Sequence, residues 1–101
     1  MIRKEILEAA IRAVCIERER QYGTPENNFG RVAAFWRAYL EGRCVPQDTD
    51  IRILPEDVAM MMVLFKAARA VTGAPKADNY IDIAGYAACA AETAAEESRR
   101  V

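Results

Sequence analysis

The 101-residue chain contains no histidine. That absence removes the side chain that titrates near neutral pH and is the commonest metal ligand, and with it Ser–His and Cys–His mechanisms. The three cysteines, Cys15, Cys44 and Cys89, are odd in number, far apart and without CxxC spacing, so a structural zinc site is excluded. They are expected to be small, reduced packing residues. Any metal would be a hard, oxygen-ligated ion, Mg²⁺ or Mn²⁺. No apolar run approaches the ~20 residues of a membrane span; the longest is Val58 to Phe65. The N-terminal "MIRKEILEAA" carries acids and lacks the apolar centre of a signal peptide, which predicts a cytoplasmic protein. The formal net charge is −1, so no basic surface suggests nucleic acid. No strand pattern is sustained; "DIRIL" alternates but is too short to build a sheet.

What is present is helical periodicity, and it predicts one all-α domain over residues 1–101 with four helices. The first runs from about Arg3 to Gln21, with Ile6, Ala10, Ala13, Val14 and Glu17 on one face. It ends at Gly23, suited to a left-handed cap. Thr24 and Pro25 then restart the chain as N-cap and first helical residue. The second helix runs to about Leu40, with Phe29, Val32, Ala33, Trp36 and Leu40 as its apolar stripe, Trp36 being read as core. Residues 41–53 form a loop. The third helix starts at Pro55, with Glu56 and Asp57 where acids suit the macrodipole, and stops near Gly73. After the turn "TGAPKA" the fourth starts near Asp78 and frays at "EESRRV".

The middle turns of helices three and four, "VAMMMVLFKAARA" and "YIDIAGYAACAA", are apolar nearly all round. Such helices are normally surrounded by protein, and two outer helices in so short a chain cannot cover both. The pattern predicts a bundle-like domain built on a central hairpin and completed by a homodimer or higher homo-oligomer. The short turn makes these helices antiparallel neighbours. Lys66 and Asp82 should then lie level, each about 7 Å from the turn, with Arg69 and Asp78 one turn nearer the connection. Asp78 and Asp82 share a face at i, i+4 spacing.

Two readings of these charges stand open. In one, Asp78 caps the fourth helix and Asp82 pairs with Lys66 or Arg69, a structural arrangement whose desolvation cost is often not recovered. In the other, the acids hold a divalent cation and Lys66 and Arg69 contact phosphates, Lys66 as a point charge and Arg69 as a bidentate fork. Glu56, Asp57 and Glu17 are further acids that could join such a metal site. Each has a simpler role, as N-terminal helix charges or, for Glu17, as a partner of Arg12 or Arg20. Tyr22 or Asn28, at the "YGTPENNF" joint, is a candidate for base or ribose contact; the simpler role of the joint is a turn stapled by Tyr22 and Phe29. Neither helix beside Gly23 carries an all-basic face, so nucleic acid is not an expected partner.

The combination "RQYGTPENNF", "AAFWRAYL", "LPEDVAMMMVLFKAAR" and "KADNYIDIAGYAA" resembles a family of small helical proteins encoded by phages and prophages, whose function is not established. The resemblance covers about Glu17 to Glu92 and implies a host-cytoplasmic location. More distantly the chain is similar to the MazG-like all-α NTP pyrophosphatases, which build a Mg²⁺ site from an ExxE-type pair on one helix and an ExxD-type pair on the next. That likeness implies a nucleotide-binding protein or an enzyme hydrolysing a (d)NTP to the (d)NMP and pyrophosphate. Asp78 and Asp82 would match the second pair, one residue more widely spaced. The first pair is incomplete, since Glu56 and Asp57 are followed by no acid at i+3 or i+4. In this reading Asp78 and Asp82, with Glu56, Asp57 or Glu17, hold Mg²⁺ (or Mn²⁺), and Asp82, Asp78 and Lys66 are the catalytic group. Lys66, Arg69, Asn79 and Tyr22 bind substrate. The alternative is a non-catalytic phage interaction protein whose buried Asp/Lys/Arg pairs are structural.

Overall fold

A computed structural model describes residues 1–43, 50–73 and 76–99, with side chains described as far as Glu96 in the last helix. The expectations for Cys44 and for the centre of the 41–53 loop fall outside these residues, as do the centre of the "TGAPKA" turn and the last two residues. Among the described residues the chain is all helical, with four helices and no strand.

The first helix, α1, is continuous but not uniform. Arg3–Arg12 is α-helical, Ala13–Glu17 is π-helical, and Arg18–Tyr22 returns to α geometry. The π turn takes in an extra residue, and so rotates everything after it relative to the face set by Ile6, Ala10 and Val14. Gly23 closes α1 with φ 84° and ψ −164°. This is not the left-handed cap read from the sequence but a region open essentially to glycine alone. Its N–H still bonds the Glu19 carbonyl at 2.9 Å. α2 spans Pro25–Arg43, and the Thr24 hydroxyl caps it by accepting the Asn27 N–H at 3.3 Å. α3 spans Pro55–Ala70. Its start is held by Asp57, whose Oδ2 accepts the Leu54 N–H at 2.9 Å. α4 spans Ala77–Arg99.

α3 and α4 form the most extensive helix pair, with α2 laid on α3 and α1 along α4. The core lies where the four meet: Phe29 and Ala33 from α2, Val58 and Ala59 from α3, Tyr86, Cys89 and Ala90 from α4, with Val14 of α1 packed against them. The Phe29 and Tyr86 rings pack tilted, centroids 6.0 Å apart. α1 approaches α4 closely because Gly85 has no side chain; a Cβ there would lie 2.7 Å from Val14 Cγ1. Thr93, buried in α4, satisfies its hydroxyl by donating to the Cys89 carbonyl at 2.9 Å. The radius of gyration is 15.1 Å, above the roughly 13 Å of a compact 100-residue domain. The chain is therefore extended, and its core is small.

The apolar stripe of α2 falls inward as the spacing predicts: Phe29 and Ala33 are buried, and Val32, Trp36 and Leu40 are half-buried. Cys89 is buried while Cys15 is exposed, so packing accounts for the first and not the second. Tyr22 is also exposed.

Candidate functional site

The α3–α4 hairpin puts Lys66 opposite Asp82, as the level spacing requires, with Nζ and Oδ2 2.9 Å apart. The ammonium side chain is 16% exposed and the carboxylate side chain 32%, so the pair is shielded without being sealed. The second pairing allowed by the spacing does not form: Asp78 is exposed and has no ion pair with Arg69. Asp78 is also not the cap, because α4 begins at Ala77 and Asp78 lies inside its first turn. Arg69 instead lies over the Phe65 ring, Cζ 4.7 Å from the centroid. Lys66 approaches the same ring at 5.9 Å. The Phe65 ring thus has two cations within reach, and the Arg69 contact is worth roughly 0.5–1 kcal/mol at such an exposed site.

One turn further along, the joined end of the hairpin carries a cavity of about 370 Å³ lined by Arg69, Thr72, Gly73, Lys76 and Asn79. Two residues expected to bind substrate, Arg69 and Asn79, meet here. Lys76 and Thr72 were not singled out from the sequence, although Lys76 immediately precedes α4 and a cation placed there faces the same end as Arg69. The Thr72 hydroxyl donates to the Ala68 carbonyl at 3.0 Å, so it shapes the wall and leaves donation to Arg69, Lys76 and Asn79. Gly73, at φ 79°, turns the chain out of α3. No carboxylate is among the described lining residues.

The acids expected to hold Mg²⁺ do not meet. Among the described residues no three acidic or cysteine side chains come together as a metal-binding group. Asp57 is spent on the Leu54 N–H and Asp82 faces Lys66. Glu56 and Asp57 border a shallow apolar hollow floored by Ala87, Ala90, Ala91 and Ala94 of α4. Glu17 is exposed rather than turned inward. The π turn is the reason: it carries Arg18, not Glu17, onto the face below Val14. Arg18 then donates to the Tyr86 hydroxyl at 3.0 Å. Within one chain the donor set therefore does not fit a dedicated divalent-metal cage. Tyr22 is exposed and lines a separate pocket with Ala13, Glu17, Arg18 and Gln21, on a different helix from Arg69. Arg18 was missed because an α-helical period places it at the stripe's edge; only the π turn brings it in.

Burial pushes the Cys89 thiol above its ordinary value, an effect that nearby Arg18 partly offsets. No helix of the described residues is long and apolar enough to cross a membrane.

Residues 5–94 match the family model described as "Domain of unknown function (DUF6378)". The Gene 55 protein of Mycobacterium phage L5 is 38% identical over 82 residues, 81% of this chain and 47% of that protein. The Gene 55 protein of Mycobacterium phage D29 is 38% identical over 86 residues, 85% of this chain and 51% of that protein. The chain thus spans about half the length of these curated relatives. No solved structure matches it. The expectation of a phage-type family without an established function is borne out, and these matches carry no activity with them.

Proposed function

The chain belongs to the DUF6378 family, and we propose that it is a nucleotide-binding protein that takes the phosphates at the joined end of the α3–α4 hairpin. The observation that carries this reading is the cavity where Arg69, Lys76 and Asn79 converge without a lining carboxylate. Arg69 supplies a planar fork of donors matched to phosphate oxygens and Lys76 a compact charge. The Phe65 ring beneath Arg69 restricts the guanidinium, so less side-chain freedom is lost on binding. The distant MazG-like resemblance read from the sequence, which the family match and the phage relatives do not carry, suggests a (d)NTP as the ligand. Mg²⁺ ordinarily keeps several waters and binds through one or two carboxylates plus the substrate phosphates, so it would arrive with the nucleotide. Asp78, exposed and adjacent to Asn79 in sequence, would be the carboxylate to receive it, with Asp82 available only if it leaves Lys66. Such work belongs in the host cytoplasm. Calorimetric titration with inorganic tripolyphosphate and with a nucleoside triphosphate, with and without Mg²⁺, tests the reading. Arg69→Gln combined with Lys76→Gln should abolish binding. No heat at millimolar ligand, or the same affinity in the double variant, overturns it.

A second reading, a non-catalytic interaction protein, draws on a different observation. Met60, Met61, Leu64 and Phe65 form an exposed apolar strip along α3. In this reading a second copy of the chain covers the strip, and the Lys66–Asp82 pair fixes helix register. Light scattering at low micromolar concentration separates the cases. A mass near the 11.3 kDa of one chain rejects self-association, and a dimer that Leu64→Glu dissociates supports it.

A further inference from the structure

We propose that the outer face of the α3–α4 hairpin is the seat of a second copy of the chain, paired about a two-fold axis that runs along the hairpin. The inference rests on the self-association reading for its partner and adds which side chains meet. α2 meets α3 through Val58, and α1 meets α4 at Gly85. Met60 and Ala87 each lie two residues further on, about 200° round their helix, and so turn away from both covering helices. An apolar stripe runs through each of them at i, i+4, i+7, i+11 spacing: Met60, Leu64, Ala67 and Val71 on α3, and Tyr80, Ala84, Ala87 and Ala91 on α4. Ala67 and Ala84 are half-buried and the other six are exposed. No charge interrupts either stripe. The two open onto one surface, since Met60 borders the hollow of about 410 Å³ that Ala87, Ala90 and Ala91 help to line.

The size of this face suits a second copy. The 16 residues of α3 extend about 24 Å, and two neighbouring helices each about 10 Å wide present about 20 Å, which makes about 480 Å² in projection. Two such faces together approach the roughly 1,000 Å² that a specific interface needs. The relief of the face sets the symmetry. Its α3 stripe carries bulky Met60 and Leu64, and its α4 stripe is mostly alanine. The Lys66–Asp82 contact fixes the levels: Leu64, two residues before Lys66, lies level with Ala84, two after Asp82, and Met60 lies level with Ala88. A two-fold along the hairpin lays α3 of each copy on α4 of the other and keeps every residue at its own level. Leu64 then meets Ala84 and Met60 meets Ala88 across the interface, bulk against a shallow groove. A two-fold across the hairpin would instead set α3 on α3 and leave alanines facing alanines over a gap. The face is thus self-complementary, as a closed isologous pair requires. Met61 and Phe65 turn about 100° further round α3, away from α4, and take no part.

Light scattering at low micromolar concentration should give twice the 11.3 kDa chain mass. Ala87→Glu puts a charge in the middle of the face and should shift the protein to monomer, with circular dichroism confirming its helices. Met61→Glu and Phe35→Glu, at exposed apolar positions off the face, should leave the dimer intact. Cross-linking tests the symmetry, in chains carrying Cys15→Ser and Cys44→Ser and retaining the buried Cys89. Leu64→Cys and Ala84→Cys chains, co-expressed, should be joined by a short bis-maleimide, and Leu64→Cys chains alone should not. A monomeric wild type overturns both this pairing and the self-association reading. A dimer that Met61→Glu dissociates and Ala87→Glu does not, or Leu64→Cys chains that join one another, overturns this pairing and leaves self-association standing.

Discussion

The two ends of the α3–α4 hairpin are built from the same two helices and behave differently. At the core end Val58 and Ala59 are 1% and 0% exposed, sealed by Phe29 and Ala33 of α2 and by Tyr86 and Cys89 of α4. Toward the joined end, two turns further along α3, Leu64 is 66% exposed and the polar groups gather. Hydropathy does not separate the two ends, since both carry Val, Leu, Met and Ala. The difference is coverage: α2 packs on α3 at the core end, and no described element covers the far side of its later turns. Cohesion is therefore concentrated at one end, and the open chemistry of cations and cavity is left at the other.

Substitutions at the two ends should separate on that basis. The largest effect is expected from Phe29→Ala at the core end. It removes a ring 2% exposed that contacts Tyr86 and should cost about 3–5 kcal/mol, as for other buried aromatic truncations. Chemical unfolding measures it, at fixed protein concentration in case the chain self-associates. A loss below about 1 kcal/mol would mean that the core end is not where stability resides. Toward the joined end, Asp82→Asn leaves the shielded Lys66 ammonium without its partner. Breaking a fully buried pair costs about 3–5 kcal/mol and an exposed one contributes about 0.2–1 kcal/mol. With this pair between those limits, about 1–2 kcal/mol is expected. An unchanged or increased stability would show that the carboxylate is held against repulsion from its neighbours, as a ligand-binding acid would be.

The smallest effect sharpens the picture of the core end. Burial raises the pKa of the Cys89 thiol, whereas an unfolded thiol ionises near 8.5. The stabilisation from keeping it protonated is complete below the unfolded value and is lost as pH rises through the raised folded one. Comparing unfolding from pH 7 to pH 10 in wild type and Cys89→Ala should show an extra decline in wild type. Parallel pH profiles would show that water reaches the thiol and that the core end is looser than its packing implies.

Much of this architecture is legible in the sequence because it depends on neighbours along the chain. Pro25 and Pro55 mark helix starts, Thr24 a cap, and Phe29, Val32, Ala33, Trp36 and Leu40 an inward stripe. Helical rise alone sets Lys66 level with Asp82 across a short turn, and the 2.9 Å contact follows. The errors arise where a local rule meets a neighbouring element. Glu17 follows the α-helical period but lies outside because the π turn at Ala13–Glu17 adds a residue. Asp57 suits a metal by type but is held by the Leu54 N–H.

The sequence by itself determined the helical class, the helix starts, the hairpin and the family resemblance, all set by periodicity, capping chemistry and short-range order. Only the tertiary structure decided which of the many charges share a space. It took Arg18 to Tyr86 and left Asp78 unpaired. It brought Arg69, Lys76 and Asn79 to one cavity while keeping Glu17, Glu56 and Asp82 from meeting. The physical reason is that side chains from different helices meet according to the rotation of each helix about its axis, which a single π turn changes and composition does not record.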